Sequence, residues 1–207
     1  MRLQLAIDDI KLQAALKLAE DVRDYVDILE MGSPFIMEYG MEAVRIFRKA
    51  FPEKEILADL KIMDAGYFEA ELAFAAGADY ATVLGVTDDA TIIEAQRAAE
   101  KYSCRLFIDM ICVDNVEERV RFIEEQKVYG ISVHTGVDQQ KRGRTALDDL
   151  KQIIGCRDRA AVSVAGGING ETAADYITAG ADVVIVGGGI IHAADPKAEA
   201  MRIACGI

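Results

Sequence analysis

Residues 58–66 read ADLKIMDAG, an apolar run broken by charge just where it turns into a helix. Ile56, Leu57, Ala58 and Leu60 suit a strand covered on both faces. Asp59 and Lys61 interrupt it two residues apart, so strand alternation sends both to the same side of the sheet. Asp64 follows in the turn, ahead of the helix-like AGYFEAELAFAA. Two carboxylates and an ammonium at the carboxyl end of a buried strand are costly to desolvate unless they pair or hold a ligand. A structural ion pair sealing the strand end and a functional site both meet that condition, and the rest of the chain decides between them.

The same strand-then-helix unit recurs from end to end. Strands are expected at LQLAID (3–8), YVDILEMG (25–32), EILADLKI (55–62), DYATVLGV (79–86), RLFIDMI (105–111), YGISVHTG (129–136), AVSVAGG (161–167) and DVVIVGGG (182–189), each followed by an amphipathic segment. The segment between the second strand and MEAVRIFRKAF, with Pro34 and Gly40, reads as a loop. Ala-Gly-Ala-Asp occurs at 76–79 and again at 179–182, each closing a helix with glycine and opening a strand. Eight βα units at intervals of about 25 residues imply a parallel sheet closed into a (β/α)8 TIM barrel, one domain over residues 1–207. An open doubly wound sheet is the alternative, but no segment is marked as an edge strand.

Composition narrows the function. The chain has 207 residues, is 52% hydrophobic, and contains three prolines and no Ser/Pro/Gly-rich linker. Net charge is −12 with 23 Lys and Arg, which removes nucleic acid as an expected partner. MRLQLAIDD meets an acidic pair before a signal-peptide core can form, and no apolar stretch nears the roughly 18 residues of a membrane span. A soluble, cytoplasmic chain is expected, with no membrane partner. Cys104, Cys112, Cys156 and Cys205 lack metal-ligand spacing and read as reduced, mostly buried thiols.

In such a barrel the active site lies at the carboxyl ends of the strands. Those ends carry Asp8, Glu30, Asp59 with Lys61, Asp109, His134, Gly166-Gly167 and Gly187-Gly188-Gly189. Glu30 and Asp59, from neighbouring strands, suit one hard divalent cation of the Mg²⁺ kind, unless Glu30 pairs with Lys61 instead. Lys61, flanked by Asp59 and Asp64, is expected to stay protonated, which suits an oxyanion partner better than a Schiff-base nucleophile. His134 faces the same mouth and suits proton transfer; His192 receives no role. Glycine clusters after the seventh and eighth strands suit a phosphate, although either alone would pass as a tight turn.

Taken together, DLKIMDAG, LAID, VDILEMG, VHTGVDQQ, AGGI and IVGGGI resemble the 3-hexulose-6-phosphate synthase family of the orotidine-5′-phosphate decarboxylase suprafamily. The resemblance implies an aldehyde-lyase that joins formaldehyde to D-ribulose 5-phosphate in a Mg²⁺-dependent aldol reaction through a metal-stabilised enediolate. The product is D-arabino-hex-3-ulose 6-phosphate. It implies that Glu30 and Asp59 bind Mg²⁺, Lys61 stabilises the enediolate and His134 shuttles protons. Asp8 and Asp109 position the substrate, and Gly166, Gly167, Gly187 and Gly188 hold its phosphate. It further implies a homodimer in which Asp64 reaches into the partner's site. The sister 3-keto-L-gulonate 6-phosphate decarboxylases (KGPDC) are expected to carry arginines where this chain has Val137 and Gly188. A non-catalytic sugar-phosphate-binding barrel and an imine-forming aldolase using Lys61 are the remaining readings.

Overall fold

A parallel sheet whose strands are apolar on both faces must be covered on both, and closing it on itself leaves no edge to protect. In the computed structural model, which describes residues 2–143 and 145–206 apart from the Val137 side chain, the sheet closes. Its strands are β1 (Arg2–Ile7), β2 (Ile28–Met31), β3 (Glu55–Ile62), β4 (Tyr80–Leu84), β5 (Arg105–Asp109), β6 (Gly130–His134), β7 (Ala161–Ala165) and β8 (Val183–Val186). All are parallel and in sequence order, and β8 pairs with β1 to complete the barrel. The expected (β/α)8 architecture is therefore the observed one.

The first half of the chain supplies helices α1 (Leu12–Val22), α2 (Ser33–Tyr39), α3 (Met41–Ala50), α4 (Gly66–Ala76) and α5 (Asp89–Tyr102). The second supplies α6 (Val116–Glu125), α7 (Val137–Gln140), α8 (Ala146–Cys156), α9 (Ala173–Thr178), α10 (Gly188–Ile191) and α11 (Pro196–Gly206). The α2 segment corrects the loop expected there. Pro34 sits in the first turn, where its missing N–H is no loss, and Gly40 at positive φ stops the helix. Proline and glycine mark the start and stop of a helix here, not a loop. Among the described residues no helix is long and apolar enough to cross a membrane.

Strand alternation sorts the side chains into two cores. Leu5, Ile7, Leu29, Ile56, Val133 and Val164 pack outward against the helices. Ala6, Ile28, Leu57, Tyr80, Phe107, Val183 and Ile185 fill the barrel interior. The amino-terminal end of the barrel is plugged by a polar network around Glu55. Tyr80 Oη donates to it at 3.0 Å, Arg2 pairs with it, and Arg105 donates to Tyr80 at 3.0 Å while lying over the Tyr129 ring.

Two clasps hold the outer wall. Arg48 pairs with Asp79, which accepts the Ile56 N–H at 2.7 Å, and Arg48 also donates to the Gly77 carbonyl at 2.9 Å. Arg157 pairs with Asp182, which accepts the Val162 N–H at 2.8 Å, and Arg157 also donates to the Gly180 carbonyl at 3.4 Å. The two glycines share the same left-handed backbone, with φ of 104° and 105°.

The four cysteines are free, but the expectation that most are buried is corrected: Cys112 and Cys205 are exposed and the other two half-buried. Cys112 lies in the turn after β5 and Cys205 in the last turn of α11, both outside the packed layers.

Candidate active site

Strand β3 carries the centre of the site, and it does so through an irregularity. Ala58 pairs with Ala81 and Ile62 with Val83, so β3 spends two more residues than β4 over this stretch. Lys61 takes a left-handed backbone, φ 48°, inside this bulge, and its N–H donates to Thr82 Oγ1 at 2.8 Å. Asp59 and Lys61 face the same cavity, as alternation requires, but the bulge brings the ammonium back onto its own strand's carboxylate. Lys61 Nζ lies 2.5 Å from Asp59 Oδ2 and 3.4 Å from Asp109 Oδ2.

That second distance corrects the expected pairing of Lys61 with Asp64. Asp64 is exposed and caps the neighbouring Ala65 N–H at 2.7 Å, and it does not line the cavity of its own chain. Glu30 is likewise no partner of Lys61: among the described residues its one hydrogen bond is from Gln4 Nε2, at 2.6 Å.

The cavity at the carboxyl ends of the strands has a volume of about 850 Å³ and brings together Asp8, Glu30, Asp59, Lys61, Asp109 and His134. Gly166, Gly167, Gly187 and Gly188 lie on its rim. Every residue expected in the chain's own site lines it, while Asp64, expected to reach a partner's site, lies outside it. Asp59 is nearly sealed, with Oδ1 accepting from Thr82 at 2.7 Å and Oδ2 from Ser33 at 2.9 Å. Asp109 accepts the Ile111 N–H on Oδ1 at 2.9 Å, while its Oδ2 lies 2.9 Å from His134 Nδ1. That contact places the proton of a neutral imidazole on Nδ1 and leaves Nε2 as the basic nitrogen.

The charges disagree in an informative way. Burial alone would lower the Lys61 ammonium, but the carboxylates of Asp59 and Asp109 override it and hold it above the ordinary lysine value. Burial would raise Asp109; its bond to His134 and the charges of His134 and Lys61 hold it below the ordinary value instead. For Glu30 the Gln4 hydrogen bond and the Lys61 charge give too little relief. Burial first, then the charge of Asp59, pushes its carboxyl up to about 8. The same two causes raise Asp8. Four carboxylates thus share one ammonium, and the side holding Glu30, Asp59 and Asp8 is short of positive charge.

A divalent cation fits that deficit. Two carboxylates from adjacent strands are the hard oxygen donors that Mg²⁺ takes while keeping other positions for water or substrate oxygens. Among the described residues no group of three or more acidic, histidine or cysteine side chains is placed to hold a metal ion, and Glu30 and Asp59 are the pair that could supply two ligands.

The glycine loops are built for close approach. Gly166 and Gly167 have φ of 131° and 69°, and a Cβ on Gly166 would stand 2.8 Å from the Thr135 carbonyl oxygen. Among the described residues their N–H groups have no backbone acceptor. The segment expected as a loop at Gly187–Gly189 turns directly into α10, whose first residue is Gly188. The side chain of Val137, one of the two positions where an arginine is expected in the sister branch, lies outside the described residues.

Sequence reading passes over several cavity residues. Gln4 lies two alternation steps before Asp8 on the same run, so periodicity could have found it, whereas Thr82 sits on β4, where no expected site residue points to it. Ser33 is hidden in the segment that reads as a loop. His192, given no role, lines the mouth with its Nε2 3.0 Å from Asp9 Oδ2.

With that geometry in hand, kinship is plain. The chain belongs to the orotidine 5′-phosphate decarboxylase / HUMPS family, whose model matches residues 1–203. Within it, the chain is 44% identical over 199 residues to a 3-hexulose-6-phosphate synthase of Bacillus subtilis (strain 168), covering 96% of this chain and 94% of that one. The crystal structure of 3-hexulose-6-phosphate synthase from Salmonella typhimurium is 48% identical and superposes with a TM-score of 0.97, over 100% of this chain and 98% of that one. The crystal structure of a KGPDC from Streptococcus mutans is more distant at 26% identity, with a TM-score of 0.91 over 99% and 96% of the two chains.

Proposed function

We propose that this chain is a 3-hexulose-6-phosphate synthase, an aldehyde-lyase that condenses formaldehyde with D-ribulose 5-phosphate to D-arabino-hex-3-ulose 6-phosphate. The observation that carries the reading is the Lys61 ammonium held between Asp59 and Asp109 at the barrel mouth. A lysine so held donates to a developing oxyanion and makes a poor imine nucleophile. Kinship to the synthases, closer than to KGPDC, supports the branch.

In this mechanism the backbone N–H groups of Gly166, Gly167, Gly187 and Gly188 grip the phosphate, and Asp8 and Asp109 orient the sugar. Glu30 and Asp59 would hold Mg²⁺, which when bound supplies positive charge to the substrate's oxygens. A proton leaves C1 for His134 Nε2, while Asp109 steadies the imidazolium through Nδ1. Lys61 stabilises the enediolate's negative charge. Its C1 then forms a bond to the formaldehyde carbon, and His134 returns the proton to the new alkoxide. The test is to give the protein D-ribulose 5-phosphate and formaldehyde, with and without EDTA, and in parallel 3-keto-L-gulonate 6-phosphate. Formaldehyde loss that EDTA abolishes is expected. Dominant CO₂ release would move the chain to the decarboxylase branch.

Glu30 sets a pH dependence. A carboxyl whose pKa rises on folding, from 4.5 to about 8, contributes stability at low pH that is lost as pH climbs through the folded value. The cation-free protein should therefore melt lower at about pH 9 than at about pH 6, and Mg²⁺ should raise Tm more at the higher pH. A Mg²⁺ effect that is larger at the lower pH would count against Glu30 as a ligand.

The functional unit in this reading is a homodimer in the cytoplasm, where the free thiols stay reduced. Met63, Phe68, Leu72 and Ile93 are large apolar side chains left exposed around Asp64, on the turn before α4 and on α4 and α5. A second copy on that face would bring Asp64 to the partner's cavity. Mixing Lys61→Ala and Asp64→Ala subunits, each inactive alone, should restore activity through hybrid sites. No recovery from subunits shown to exchange would refute the shared site.

A further inference from the structure

The interior of the barrel is apolar at the level below the carboxylates, with Ala6, Ile28, Leu57, Phe107 and Ile185. Gln4 breaks that layer. It is 1% exposed, lines the cavity wall, and donates Nε2 to Glu30 Oε2 at 2.6 Å. Its Oε1 is sealed from solvent and has no hydrogen-bond partner among the described residues. A buried amide carbonyl without a partner costs stability, so packing alone does not account for a glutamine at this position. Against the ionised Glu30 that a cation requires, reversing the amide would set Oε1 against a carboxylate oxygen and satisfy nothing.

What the amide does is fix Glu30. Among the described residues Gln4 is the one hydrogen-bond partner that this glutamate has. Asp59 is held by Ser33, Thr82 and Lys61, whereas Glu30 depends on a single bond. The bond engages Oε2 and leaves Oε1 unengaged by the described residues.

We infer that Gln4 is a positioning residue that orients Glu30 and thereby sets the divalent-cation affinity of the Glu30/Asp59 pair. The inference rests on the cation site assigned above. It follows the general behaviour of outer partners that hydrogen-bond a ligating carboxylate, whose removal costs about 10- to 100-fold in metal affinity. Asp59, with its three donors, stays in place without Gln4. The loss is therefore specific to one half of the ligand pair.

The test compares the wild-type chain with Gln4→Met, which keeps side-chain length and removes the donor, and with Glu30→Gln. Mn²⁺ is the probe, titrated in the absence of substrate and followed by electron paramagnetic resonance of the free ion. Wild type is expected to bind, Glu30→Gln to lose binding, and Gln4→Met to bind about 10- to 100-fold more weakly. In turnover, Gln4→Met should raise the half-saturating cation concentration by a similar factor while keeping kcat near wild type at saturating cation. A merely structural residue would lower the active fraction without moving that midpoint. Equal Mn²⁺ affinity in wild type and Gln4→Met, with binding lost in Glu30→Gln, would overturn the role of Gln4 and leave the cation site standing. A wild-type chain that binds no Mn²⁺ would overturn the cation site and the inference together.

Discussion

Replacing Lys61 by alanine should abolish useful turnover, with kcat falling by at least about 10²- to 10³-fold, the usual cost of one oxyanion-stabilising donor. The loss should fall at the upper end, because the ammonium serves two purposes. In the proposed reaction it meets charge developing on the substrate, and among the described residues it is the one lysine or arginine paired with Asp59 and Asp109. Without it those carboxylates, 6% and 2% exposed, repel each other or take up protons. Lys61→Arg should fail as well, since a planar fork does not fill the place of a compact ammonium inside a bulge. Steady-state kinetics beside a thermal melt make the check. A folded Lys61→Ala enzyme working near the wild-type rate would remove the assigned role. The same lysine should resist borohydride trapping with substrate, and an irreversible loss of activity there would instead favour imine chemistry.

The second large effect belongs to His134. His134→Gln should lower kcat by about 10²- to 10⁴-fold, the range for losing a positioned acid–base group, with KM for the sugar phosphate little changed. Glutamine can still contact Asp109 but cannot carry a proton at pH values where the enzyme works. Exchange of the C1 hydrogen with deuterium oxide, measured without formaldehyde, isolates the proton-removal step. Exchange lost in step with condensation is expected. Exchange and condensation both at wild-type rates would exclude His134 from proton transfer. Asp109→Asn offers a check on the orienting bond, because it removes the charge that holds the Nδ1 tautomer while leaving the shape.

Much of this is legible without any coordinates. The barrel follows from eight repeats of one local pattern, and such a pattern is a local property that single segments reveal. Asp8, Glu30, Asp59, Asp109 and His134 are legible for a related reason: each breaks an apolar run near its carboxyl end, and the fold dictates where those ends meet. What escapes depends on contacts between distant segments. The second partner of Lys61, after Asp59, is Asp109 on β5, reached through a bulge in β3 that no residue preference announces. The hydrogen bond to Glu30 comes from Gln4, two strand positions before Ala6, which pairs in register with Glu30 itself. Helix α2 escapes because proline and glycine read as loop signals, whereas they are its first turn and its stop.

The paired arginine clasps make the two halves of the wall alike. Arg48, Gly77 and Asp79 lock the wall beside β4, and Arg157, Gly180 and Asp182 repeat the device beside β8, four strands later. Asp8 directly follows β1 and Asp109 ends β5. The two halves of the barrel thus share one way of bracing the wall, while in the proposed reaction their mouths carry different tools. The first half holds Asp8, Glu30, Asp59 and Lys61, and the second holds Asp109, His134 and the glycine pair Gly166-Gly167. The cavity is lined from both sides, so a half barrel would present only part of it.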